Sequence, residues 1–80
     1  MFVWTVEFEE HWSWSKKGEY EEGDIYTIAA RSSDEAIKKA EKLARVGAVR
    51  KDYETDEEYS LVSIRLVSIQ RGTKLDAVTP

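Results

Sequence analysis

The sequence predicts an α+β domain of ββαβ order: a long N-terminal hairpin, then one helix packed on a three-stranded sheet, with strand order 2-1-3 favoured. Three observations carry this. Residues 2–8 alternate, with Phe2, Trp4, Val6 and Phe8 on even positions and Thr5 and Glu7 between them, which is the period of a half-buried strand. A second apolar run, Ile25 to Ala30, follows a turn-like Lys-Lys-Gly stretch. Ser32-Ser33-Asp34-Glu35 then reads as a capping box ahead of a helical stripe.

The first strand keeps its parity beyond Phe8. Trp12 and Trp14 are also even, and only Glu10 breaks the apolar pattern. A three-residue loop at Lys16-Lys17-Gly18 supplies a glycine for the left-handed position of such a turn. It pairs Val6 with Ile28, Phe8 with Tyr26 and Trp14 with Tyr20, keeping the large residues of both strands on one face. Gly23 marks a bulge or bend in the second strand.

In the helix, Ala36, Ile37, Ala40, Leu43 and Ala44 recur on one stripe, so Ile37 and Leu43 are expected to face the sheet. Asp34–Lys38, Glu35–Lys39 and Glu41–Arg45 are acid-first pairs at i,i+4, and Gly47 stands where a left-handed C-cap belongs. Residues 48–58 read as a charged loop. Tyr59 to Gln70 is the third strand, in which the apolar phase slips near Leu66-Val67; that slip is the mark of a bulge or of a strand buried on both sides. The domain is expected to span 1–72, with 73–80 a frayed C-terminal tail.

Composition narrows the function classes. The chain has 80 residues, a net charge of −4 and no cysteine. Without cysteine there are no disulfides or thiolate sites, which fits a cytoplasmic location. No signal peptide or membrane-spanning run is visible. The acidic balance argues against a general nucleic-acid binder, which needs a basic footprint. No cofactor motif, P-loop or EF-hand loop is present. One histidine without cysteine falls short of usual zinc geometry.

Two constellations stand out. A helix of about 20 Å cannot cover a first strand of about 46 Å. The distal hairpin arm should therefore project with Trp12, Trp14 and Tyr20 on one side and Lys16 and Lys17 at its tip. Exposed aromatics of this kind serve as partner-binding anchors; the rival reading is that the 48–58 loop, with Val49 and Tyr53, folds over them as a second small core. Glu7, Glu9 and His11 share the other face at i, i+2 and i+4, where acid–base or metal chemistry could be built, although strand-face charges are normally just solvated and a flat sheet offers no pocket.

The stretch Tyr26 to Ile37, in which a strand ending in alanine leads into a Ser-x-Asp/Glu-Glu-Ala helix start, resembles small uncharacterised ββαβ proteins of bacteria, phages and mobile elements. The resemblance covers strand two and the helix and implies a fold element, with no functional residue carried across; it is the sole ground for thinking of an accessory or inhibitory factor. The expectation is therefore a non-enzymatic interaction module, protein-binding through the aromatic arm or the open sheet face, as a monomer or as a homodimer through that face. The alternative is a single-strand nucleic-acid binder that stacks bases on Trp12, Trp14 and Tyr20 beside Lys16 and Lys17.

Overall fold

The computed structural model describes residues 1–14 and 18–72. Lys16 and Lys17, and the tail assigned to 73–80, lie outside the described residues. The elements are β1 (Phe2–Trp14), β2 (Gly18–Ala30), α1 (Ser33–Val46), β3 (Val49–Asp52) and β4 (Glu57–Arg71). They form one four-stranded antiparallel sheet in the order β2-β1-β4-β3. The longest dimension, 42 Å, is that of the hairpin strands.

The strand expected at 59–70 is β4, and it pairs with β1 as the 2-1-3 order requires. The sheet has a fourth strand because part of the segment read as a charged loop is β3, paired with the start of β4 from Val49↔Ser60 to Asp52↔Glu57. Four residues, Val-Arg-Lys-Asp, on a sheet edge need no apolar alternation, so periodicity could not reveal them. The turn that follows is held by Glu54 N–H donating to Asp52 Oδ1 at 3.0 Å and by Asp56 at a φ of 59°.

The hairpin register differs from the expected one by two residues. Val6 faces Tyr26, Phe8 faces Asp24, and Trp12 rather than Trp14 faces Tyr20. A slip of two preserves side-chain parity, so the shared face survives while the pairs change. Trp14 pairs with Gly18, which takes the positive φ of 92° that only glycine adopts readily. No bulge marks Gly23; the register runs unbroken through Glu9↔Gly23.

β4 carries two irregularities, where the register against β1 skips Val67 and Val62. The first is the slip legible at Leu66-Val67. With both skips, Leu61, Ile64, Leu66 and Ile69 fall opposite Trp12, Glu10, Phe8 and Val6 and so join the even face.

The helix covers the proximal half of that face. Val6, Phe8, Ile28 and Ala30 pack against Ala36 and Ala40, with Trp4, Tyr26 and Ile69 at the margin. Its buried stripe is Ala36, Ala40 and Ala44. Ile37 and Leu43 are expected to point at the sheet, but they lie about 60° to either side of the centre of this stripe. Ile37 is half-buried, and Leu43 is 52% exposed. Alanines let the helix lie close to the sheet, and the bulk of the core comes from the strands instead. Ser32 Oγ accepts from Glu35 N–H at 3.2 Å, and Glu35 Oε2 accepts from Arg31 N–H at 3.1 Å, so the capping box forms with its return bond one residue further out than the N-cap. Gly47 has a φ of −95° rather than a left-handed value, and Ala48 N–H donates to Arg45 O at 3.2 Å to close the last turn.

Candidate functional site

The distal arm is where the expectation and the structure part. Trp12 is fully buried. Its cover is the Arg50 guanidinium, 4.0 Å from the ring centroid. Arg50 shares a face with Tyr59 by register, and it reaches across β4 and β1 to donate to Glu22 Oε2 on β2 at 3.0 Å. One side chain thus links the two opposite edge strands over Trp12, which requires the sheet to curl around the indole. The segment expected to act as cover does so through Arg50 alone, and Tyr59, from the strand after it, packs on Trp14 and Tyr20. Val49 and Tyr53 are exposed.

Below the indole lies Glu10, 1% exposed. Its Oε1 accepts from Trp12 Nε1 at 3.3 Å, and Tyr26 OH lies 3.4 Å from its Oε2 and 3.1 Å from Asp24 Oδ2. The residue that breaks the apolar parity is therefore a buried acceptor for two aromatic donors. Burial, followed by the bond to Asp24 and the charges of Asp24 and Glu10, raises the Tyr26 phenol well above its ordinary value. Burial alone would disfavour the Arg50 charge, but the bond to Glu22, then the charges of Glu22, Tyr20 and Glu10, outweigh it and hold the guanidinium charged.

Trp14 and Tyr20 are half-buried. Trp14 stacks on Tyr59 at 5.5 Å between centroids and donates to Glu57 Oε2 at 2.8 Å, while Tyr20 meets Tyr59 edge-on at 6.1 Å. Tyr59 OH also donates to Glu57 Oε2, at 3.1 Å. A shallow pocket of about 330 Å³ opens between Tyr20, Arg50, Lys51, Asp52 and Tyr59. Of the residues assigned to a binding arm, Trp12 is fully buried, while Trp14 and Tyr20 are half-buried around Tyr59. Arg50, Tyr59 and Glu57, which contact them, were missed. Glu10 was the one signal for them, since an acid on the buried face demands donors and a lid.

The opposite face of the sheet carries no helix, and among its described residues only Thr5 is buried, its hydroxyl donating to the Gly72 carbonyl at 2.6 Å. Glu7, Glu9 and His11 share that face, but each turns to a different partner. Ser68 Oγ donates to Glu7 at 3.2 Å, Arg65 pairs with Glu9 at 2.9 Å, and His11 lies 3.3 Å from Glu19 and 4.0 Å from Glu21. Among the described residues, no group of three or more His, Cys, Asp or Glu side chains is placed to hold a metal ion. Val3 and Ile25 stand exposed on the same face. A separate groove of about 410 Å³ runs between α1 and β2, lined by Thr27 to Ala29, Lys39, Lys42, Leu43 and Val46.

No family model, curated protein or solved structure matches this chain. Among the described residues, no helix is long and apolar enough to cross a membrane.

Proposed function

We propose that this chain is a non-enzymatic protein-binding module that docks a basic protein surface on the open face of its sheet. The observation that carries the reading is the one-sided cover. The helix and the Arg50 clasp close one face, while the other leaves Val3 and Ile25 exposed among Glu7, Glu9, Glu19 and Glu21, set against Arg65 and His11. Exposed apolar side chains set among charges of one dominant sign suit a partner of the opposite sign. A cytoplasmic setting belongs to this reading, because the chain needs no disulfide.

The second reading, single-strand nucleic acid at the arm, is favoured by Trp14, Tyr20 and Tyr59 gathered beside Arg50 and Lys51. The carboxylates of Glu19, Glu22, Asp52 and Glu57 around them oppose phosphate. One experiment separates the two. Amide shifts of the isotope-labelled chain are recorded while an arginine- and lysine-rich peptide, and separately a thymidine oligonucleotide, are titrated in. The peptide should move β1 and β2 amides of the open face, and Glu7→Lys with Glu9→Lys should abolish the effect while Lys38→Glu on the helix leaves it intact. Oligonucleotide binding with tryptophan quenching, and no response to the peptide, would replace the first reading with the second.

A further inference from the structure

β2 is an outermost strand of the sheet, thirteen residues long. Which of its backbone groups face outward follows from two bonds. Gly72 N–H donates to Val3 O at 2.6 Å, so Val3 turns its backbone groups away from β2. Its register partner Ala29 therefore turns its own away from β1. Lys39 Nζ reaches that outward Ala29 carbonyl at 3.0 Å. Because the β1–β2 register is unbroken, the odd residues from Glu19 to Ala29 all present N–H and C=O to the open edge. Edges of this length invite pairing unless blunted. Here two exposed side-chain bonds occupy part of it: the Lys39 bond, and Asp24 Oδ1 accepting from Ile25 N–H at 2.9 Å.

The edge is also polarised along its length. Glu19, Glu21, Glu22 and Asp24 crowd the hairpin end, with Glu22 paired to Arg50 and Glu19 and Glu21 beside His11, while Arg31, Lys39 and Lys42 flank the other, with Lys39 paired to Glu35. Beside the basic half lies the groove of about 410 Å³, in which Leu43 and Val46 are exposed.

We propose that a second copy of this chain docks on this edge, β2 against β2, antiparallel about a two-fold axis at Ile25. Odd residues must meet odd residues for the outward groups to pair. With the axis at Ile25, Glu19 falls opposite Arg31 of the other copy, Glu21 opposite Ala29, and Gly23 opposite Thr27. On the face the helix covers, Glu22, which keeps its bond to Arg50 within its own chain, falls opposite Ile28. An axis one residue nearer the hairpin would set Asp24 against itself. The acidic half of each strand thus meets the basic half of its mate, and the contact is self-complementary, as a two-fold interface must be. The two side-chain bonds give way to backbone bonds: Ile25 N–H to the Ile25 carbonyl across the axis, and Glu21 N–H to the Ala29 carbonyl. Two four-stranded sheets become one.

The test is sedimentation of the full chain over a wide concentration range at low and high salt, with circular dichroism to verify folding. The native chain should form a dimer that salt weakens. Thr27→Pro removes an N–H that serves no bond within the chain, a change tolerated at a sheet edge, and should leave a folded monomer. Glu19→Arg and Arg31→Glu should each weaken the dimer about tenfold or more, and the double exchange should restore it. That rescue also decides the matter if Thr27→Pro does not fold. A native chain that stays monomeric throughout overturns the proposal. So does a dimer that survives Thr27→Pro, or one indifferent to the single charge changes.

Discussion

Replacing Trp12 with alanine tests whether the distal arm is a core or a binding surface. The indole is fully buried, lies under Arg50 and donates to a buried carboxylate. Truncating a buried tryptophan costs about 3–5 kcal/mol, and Glu10 also loses one of its donors. An 80-residue domain at typical stability per residue holds only about 4–12 kcal/mol, so the variant should be close to unfolding. At about 4–8 °C per kcal/mol for a domain of this size, the midpoint should fall by more than about 12 °C. Trp12→Phe keeps a ring under Arg50 and removes only the Nε1–H, so it should cost about 1–3 kcal/mol, the scale of an unmet buried acceptor. Urea unfolding followed by far-ultraviolet circular dichroism measures both without relying on the fluorophore removed. A loss below about 0.5 kcal/mol for Trp12→Ala, the range of ordinary surface changes, would refute the buried arm and return Trp12 to the partner-binding role.

Two further predictions follow from the packing and the charges. Leu43→Ala should cost less than about 1 kcal/mol, whereas Ala40→Leu should cost about 1–3 kcal/mol by overfilling the close helix–sheet contact; denaturant midpoints that invert this order would mean the helix is rotated. Tyr26 is raised above an unfolded value of 10.0, so its neutral form stabilises the fold. That contribution is whole below about pH 10 and is lost as pH climbs from there towards the folded value. Tyr26→Phe should flatten part of the alkaline fall in stability, and an unchanged alkaline limb would show that the phenol is not held neutral by its burial beside Asp24 and Glu10.

Local pattern carried most of the secondary structure. Alternation from Phe2 to Trp14 gave a strand of that length, and Ser32 with Glu35 gave the helix start, because both signals arise within a few residues of the chain. The slip at Leu66-Val67 exposed a bulge for the same reason. What was not legible depended on residues far apart. The hairpin slipped by two because parity permits every even shift and the choice rests on packing across strands. Ile37 and Leu43 yielded the centre of the helix face to the alanines because the strands already bring Phe8, Tyr26 and Trp4 to that layer. β3 was hidden because a short edge strand needs no apolar pattern.

The candidate site divides along the same line. By itself the sequence determined which side chains share a face: the aromatics with Glu10 on one, and Glu7, Glu9 and His11 on the other, since side-chain alternation is a property of a single strand. Tertiary structure alone decided that the aromatic face would be closed at its far end. Arg50 and Trp12 are 38 positions apart in the chain, and Glu22 stands on the opposite edge strand. They meet only because the sheet curls, and curl is the summed twist of four strands, a quantity that no local window contains.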